Sequence, residues 1–114
     1  MNLKDYQKFT QSIWNNTSSR NMQLNHAALG LVCEAGEVGD LIKKQTHFNK
    51  DTDLRKIKEE LGDTLYYFSQ MCALHGWTIE EVLESNVKKL SKRYHQGSYS
   101  DKQANERADC ENDS

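Results

Sequence analysis

Two pairs of acids in this chain are spaced to do chemistry together. Glu34 and Glu37 lie three residues apart in the stretch 33–40, and Glu60 and Asp63 lie three apart in the run 59–63. On helices, each pair occupies successive turns of one face. Glu34 follows Leu31 by three residues and precedes Val38 by four, and Glu60 follows Ile57 by three, so both pairs encroach on apolar stripes. Like charges at this spacing repel by roughly 0.2–0.5 kcal/mol per pair, and a buried carboxylate cannot stay ionised without a partner. The stripes carry no matching set of Lys or Arg, so a cation is the expected partner. An oxygen-only donor set suits a hard ion, Mg²⁺ with Mn²⁺ as a substitute, rather than zinc. Mg²⁺ held by carboxylates commonly bridges to substrate phosphates, which makes a nucleotide or other polyphosphate the expected ligand. A di-iron bundle would want Glu-x-x-His, and none of His26, His47, His75 or His95 has a Glu three residues before it. One Glu-x-x-Glu alone is ordinarily a solvated helix face; two of them on apolar stripes, each with glycine inside or beside it, is a different pattern. Gly36 and Gly39 would allow a neighbouring helix or a substrate to approach closely. Asp40 extends the ladder of acids but belongs to neither pair and is expected at the surface.

Positioning these acids takes helices. The first is expected from Leu3 to Asn15, capped by Asn2, with Tyr6, Phe9 and Ile13 as its core stripe. After a polar loop, the second is expected from Met22 to Thr46, with Leu24, Ala27, Ala28, Leu31, Val38, Leu41 and Ile42 inward. The third spans Asp53 to Leu74, capped by Asp51 or Thr52, with Leu54, Ile57, Leu61, Leu65, Phe68 and Met71 or Cys72 inward, and is stopped by His75-Gly76. Thr78-Ile79-Glu80-Glu81 is a capping box that starts a fourth helix ending near Tyr94. No strand-like alternation or internal repeat occurs, so the expected fold is all-α, an antiparallel four-helix bundle over residues 1–96. Residues 97–114 are polar, with five acids against two bases, and are expected to form a loosely attached tail.

The 114 residues suffice for one domain with a modest core. Basic and acidic side chains number 15 and 17, a net charge of −2, which gives no basic surface for nucleic acid. No apolar run is long enough to span a membrane, and the amino terminus lacks the apolar segment of a signal peptide. Cys33, Cys72 and Cys110 are odd in number and widely separated, which fits free thiols in a reducing cytoplasm.

The segments 24–44 and 58–94 resemble the MazG-type nucleoside triphosphate pyrophosphohydrolases of the all-α NTP pyrophosphatase superfamily, in the small single-domain form found in phages and bacteria. The motif is Glu-x-x-Glu, a spacer, then Glu-x-x-Asp, matched by Glu34, Glu37, Glu60 and Asp63, and the resemblance extends from about Leu3 to Tyr94. It implies cleavage of a (deoxy)nucleoside triphosphate into monophosphate and pyrophosphate, with the four carboxylates as the catalytic, Mg²⁺-holding set and Glu34 or Glu37 free to accept a proton. The family pattern continues with Asn-x-x-Lys-x-x-x-Arg, here Asn86, Lys89 and Arg93, which would grip phosphate oxygens. Trp14, His26 and Tyr67 fall near positions that line the nucleobase pocket in relatives. The resemblance also implies a homodimer or homotetramer in the cytoplasm of a bacterial cell or phage-infected host. Two departures stand out: Cys33 where relatives often carry glycine, and Tyr94-His95 where they often carry Tyr-Pro. The competing possibilities are a non-catalytic helical regulator that binds a nucleotide or a protein, and acids that pair with bases across a subunit interface.

Overall fold

The computed structural model describes residues 1–49, 51 and 53–94. The expected all-α class holds: four helices are present, α1 (Leu3–Ser12), α2 (Arg20–Phe48), α3 (Leu54–Leu74) and α4 (Ile79–Arg93), and no strand occurs among the described residues. Residues 97–114, Cys110 and Thr52 lie outside the described residues.

The starts of α1, α2 and α3 are each marked by a side-chain oxygen that accepts an otherwise orphaned backbone N–H. Asn2 Oδ1 accepts from the Asp5 N–H at 2.8 Å, Ser19 Oγ from Met22 at 3.3 Å, and Asp53 Oδ1 from Arg55 at 3.0 Å. The caps of α2 and α3 thus fall on Ser19 and Asp53. Helix α1 stops at Ser12, three residues short of the expected end. Helix α2 ends on Asn49 in the left-handed conformation (φ 50), whose N–H bonds to the Lys44 carbonyl. Helix α3 ends where His75 caps it and Gly76 takes φ +74, a conformation that glycine adopts without strain.

Helices α1–α3 form one compact unit, Met1–Thr78, and α4 lies in a second unit that begins at Ile79. Within the first, both α2 and α1 pack on α3. Glu34 meets Glu60 and Asp63, while Gly30 meets Tyr67, so numbers fall along α2 as they rise along α3 and the two helices are antiparallel.

The α1–α3 contact is polar. Gln7, Thr10, Ser69 and Gln70 are buried, and the Thr10 and Ser69 hydroxyls lie 2.8 Å apart. Gln7 Nε2 donates to the Trp77 carbonyl at 2.9 Å. The expected α1 stripe is therefore displaced: Phe9 and Ile13 are each 57% exposed, because hydroxyl and amide pairing, not apolar burial, fixes which face of α1 turns inward. Within the unit's apolar stripes only Ala27 and Cys72 are buried outright; Leu24, Leu31, Val38, Leu41, Ile57, Phe68 and Met71 are half-buried. Ala28, Ile42, Leu54, Leu61 and Leu65, expected inward, are exposed, as are Leu29 (57%) and Val32 (68%). At the far end, the Arg20 guanidinium donates to the Leu74 carbonyl and ties the start of α2 to the end of α3.

Candidate active site

The antiparallel crossing of α2 and α3 brings three of the four motif acids together. Glu34, Glu60 and Asp63 each offer an oxygen, and these oxygens lie within 4.8 Å of one another. Glu34 and Glu60 are half-buried and Asp63 is exposed. The Glu34 pKa is pushed up to about 7 by hydrogen bonding with Glu60, by burial and by the charges of Glu60, Asp63 and Glu37. A carboxyl driven to keep its proton at neutral pH, beside two further carboxyls, is the electrostatic signature of a place that a cation would relieve. The donor set is oxygen only, so the residues fit a hard divalent ion. Glu37, one turn beyond Glu34, is exposed and lies outside the three-acid cluster. Asp40 pairs instead with Lys44 at 2.9 Å, which lowers its pKa.

A cavity of about 480 Å³ opens beside the acids. Tyr6, Phe9, Thr10 and Ile13 line it from α1 and its cap, Glu34 from α2, and Gly62, Asp63, Tyr66 and Tyr67 from α3. The lining thus combines two carboxyls, Glu34 and Asp63, with mainly aromatic and apolar side chains. The Tyr6 phenol is held neutral to higher pH than usual by burial and by the Asp63 charge, and Tyr66 is shifted the same way by burial and by the neighbouring Tyr67 and Tyr6 phenols.

Behind the cavity the aromatic residues form a connected group. Trp14 stacks on His26 with centroids 4.7 Å apart and rings 25° from parallel, and meets Tyr67 edge-on at 6.4 Å. Tyr67 lies 5.8 Å from His26 and 5.1 Å from Tyr66. Trp14 is anchored by its indole N–H, which donates to Gln23 Oε1 at 3.0 Å, while Gln23 Nε2 donates to the Ser18 carbonyl at 2.8 Å. The close helix approach falls at Gly30, which touches the Tyr67 ring; among the described residues, and apart from the helix's own backbone, nothing comes within 4 Å of a β-carbon built on Gly36 or Gly39.

The three aromatic positions singled out in the sequence are therefore neighbours, and Tyr67 reaches the cavity that Glu34 and Asp63 also line. Asn86, Lys89 and Arg93 fall on α4, in the second unit; Asn86 and Lys89 are exposed and Arg93 is half-buried. Sequence reasoning missed Tyr6, Phe9, Ile13 and Tyr66 as cavity residues. The helical spacing of the first three was visible, but it reads equally well as core.

A family model described as the MazG nucleotide pyrophosphohydrolase domain matches residues 23–98. The Gene 37 protein of Mycobacterium phage L5 is 30% identical over 82 residues, covering 65% of this chain and 68% of the phage protein. No solved structure matches significantly.

Proposed function

Because the chain belongs to the MazG nucleotide pyrophosphohydrolase domain family, we propose that it hydrolyses a (deoxy)nucleoside triphosphate between the α and β phosphates, releasing the monophosphate and pyrophosphate. The observation that carries this is the convergence of Glu34, Glu60 and Asp63, from two helices, beside an aromatic cavity that Glu34 and Asp63 also line. A nucleotide matches both features, with an anionic end that needs a cation and a flat ring that needs apolar walls.

In this scheme Glu34, Glu60 and Asp63 hold Mg²⁺, or Mn²⁺ in its place. When bound, such an ion neutralises charge on the triphosphate and makes water a better nucleophile. Glu37, one turn from Glu34 and outside the cluster, remains free to accept the proton of the attacking water, completing the four-acid set. The bridging oxygen leaves with pyrophosphate. Asn86, Lys89 and Arg93 share one face of α4 by their spacing and are assigned to phosphate oxygens. Trp14, His26 and Tyr67 are assigned to the nucleobase end, together with Tyr6 and Tyr66.

The exposed apolar side chains of α2 and α3, among them Leu29, Val32, Leu61 (54%) and Leu65, support assembly into a homodimer or homotetramer. Sedimentation of the purified protein tests this, and a monomer at micromolar concentration would exclude it. Among the described residues no helix is long and apolar enough to cross a membrane, and we assign the protein to the cytoplasm of a bacterial cell or phage-infected host.

The deciding assay is release of pyrophosphate from a panel of nucleoside and deoxynucleoside triphosphates with Mg²⁺, with Asp63→Asn as control. Orthophosphate alone would mean that a different bond is cut. Tight nucleotide binding by calorimetry without turnover would point instead to a non-catalytic regulator.

A further inference from the structure

We infer that Gly30 sets the width of the nucleobase slot by giving the Tyr67 ring its seat, and so determines which bases enter; this rests on the nucleotide assignment above. A β-carbon built on Gly30 would lie 2.4 Å from Cδ1 and from Cε1 of Tyr67 and 2.6 Å from Cζ. Ordinary van der Waals contact begins at 3.4 Å, so the ring fills the volume that any other residue at position 30 would claim. Glycine in the middle of α2 weakens the helix relative to alanine, and no unusual backbone angle at Gly30 requires it. The ring requires it.

Tyr67 has little freedom to yield sideways. Tyr66 stands edge-on at 5.1 Å, His26 lies at 5.8 Å and Trp14 at 6.4 Å. The remaining direction is the cavity that Tyr67 itself lines. A methyl group at position 30 would therefore drive the ring into the slot by about 1 Å, the difference between the built contact and an ordinary one.

Position in the helices keeps this effect apart from the acids. Glu34 is four residues after Gly30 on α2, and Asp63 is four before Tyr67 on α3. The Gly30–Tyr67 layer and the carboxylate layer thus lie just over one helical turn apart, about 6 Å. Pushing Tyr67 narrows the ring end and leaves the cation end in place. A two-ring purine loses more from that narrowing than a one-ring pyrimidine.

The test compares Gly30→Ala, Tyr67→Leu and the double variant with wild type, in steady-state kinetics on one purine and one pyrimidine deoxynucleoside triphosphate. Mn²⁺ binding, followed by electron paramagnetic resonance, is measured on each protein without nucleotide. Gly30→Ala is expected to raise KM for the purine roughly tenfold more than for the pyrimidine, the scale of one added methyl in an apolar pocket. Its Mn²⁺ affinity should stay within about twofold of wild type. Adding Gly30→Ala to Tyr67→Leu should change neither KM further, because the ring that the new carbon meets is gone. An unchanged purine-to-pyrimidine KM ratio in Gly30→Ala would overturn the inference, as would a further loss when Gly30→Ala is added to Tyr67→Leu. Should Gly30→Ala fail to fold, folding regained in the double variant would support the contact and folding still lost would refute it. A wild-type protein that neither binds nor cleaves any nucleotide defeats the nucleotide assignment itself, before any variant is compared.

Discussion

Glu34 on α2 and Glu60 on α3 face each other across the helix pair with carboxyl oxygens within 4.8 Å, and with Asp63 beside them the Glu34 pKa is pushed up to about 7. The contact is repulsive when both groups are ionised and cohesive when one proton or one cation sits between them.

Stability should therefore depend on pH with a definite sign. An acid whose pKa rises on folding binds its proton more tightly in the native state, so folding is unburdened below pH 4.5, the ordinary value, and weakens as pH climbs through about 7. Urea denaturation without divalent cation should show a loss on the order of 1 kcal/mol between pH 5 and pH 8, kept small because the group is partly exposed and water screens it. Mg²⁺ should reverse the loss. Glu34→Gln should abolish both the pH dependence and the rescue; parallel behaviour of wild type and variant would contradict the shared-proton picture.

The second acids of the two pairs should fail differently. Asp63 belongs to the three-acid cluster, so Asp63→Asn should weaken Mn²⁺ binding roughly tenfold or more along with turnover. Glu37 stands outside it, so Glu37→Gln should cut kcat roughly 100-fold while changing Mn²⁺ affinity much less. Equal losses of metal in both would place Glu37 among the ligands.

Asp40 should be dispensable. It pairs with Lys44 one turn along α2, both side chains about half exposed, and such pairs contribute little. Asp40→Asn is expected to retain wild-type turnover and melting temperature, measured side by side with Glu37→Gln.

The hydroxyl pair under α1 should be sensitive to losing one member. Thr10→Val leaves the buried Ser69 hydroxyl without its partner, which costs about 1–3 kcal/mol. Thr10→Val with Ser69→Ala should cost less than the sum of the single changes, as a double-mutant cycle in urea would show.

The helices and three of the converging acids were legible in the sequence because they follow from local rules. The Asn2 cap was visible before its apolar run, whereas the α3 cap falls on Asp53 rather than Asp51 or Thr52 and the Ser19 cap of α2 was not anticipated; i, i+3 spacing places acids on a face wherever the helix goes. The inward face of α1 was not legible. Tyr6, Phe9 and Ile13 have core spacing, yet Gln7 and Thr10 are buried, because their partners, the Trp77 carbonyl and the Ser69 hydroxyl, lie some sixty to seventy residues away. The glycines next to the acids drew attention, whereas the close contact falls at Gly30, whose partner Tyr67 becomes visible only when α2 and α3 are docked. Glu37 shows the same limit: spacing puts it one turn from Glu34, but convergence depends on where the opposite helix passes.

The pinning of α1 by Thr10–Ser69 and Gln7–Trp77 has a consequence for how such a protein can change over generations. Directional bonds set the register of this helix, while Phe9 and Ile13, which line the cavity, bear little of the packing. Mutations at those two positions can accumulate without loosening the scaffold. Descendants of this chain are free to try new ligands while the fold stays under separate selection.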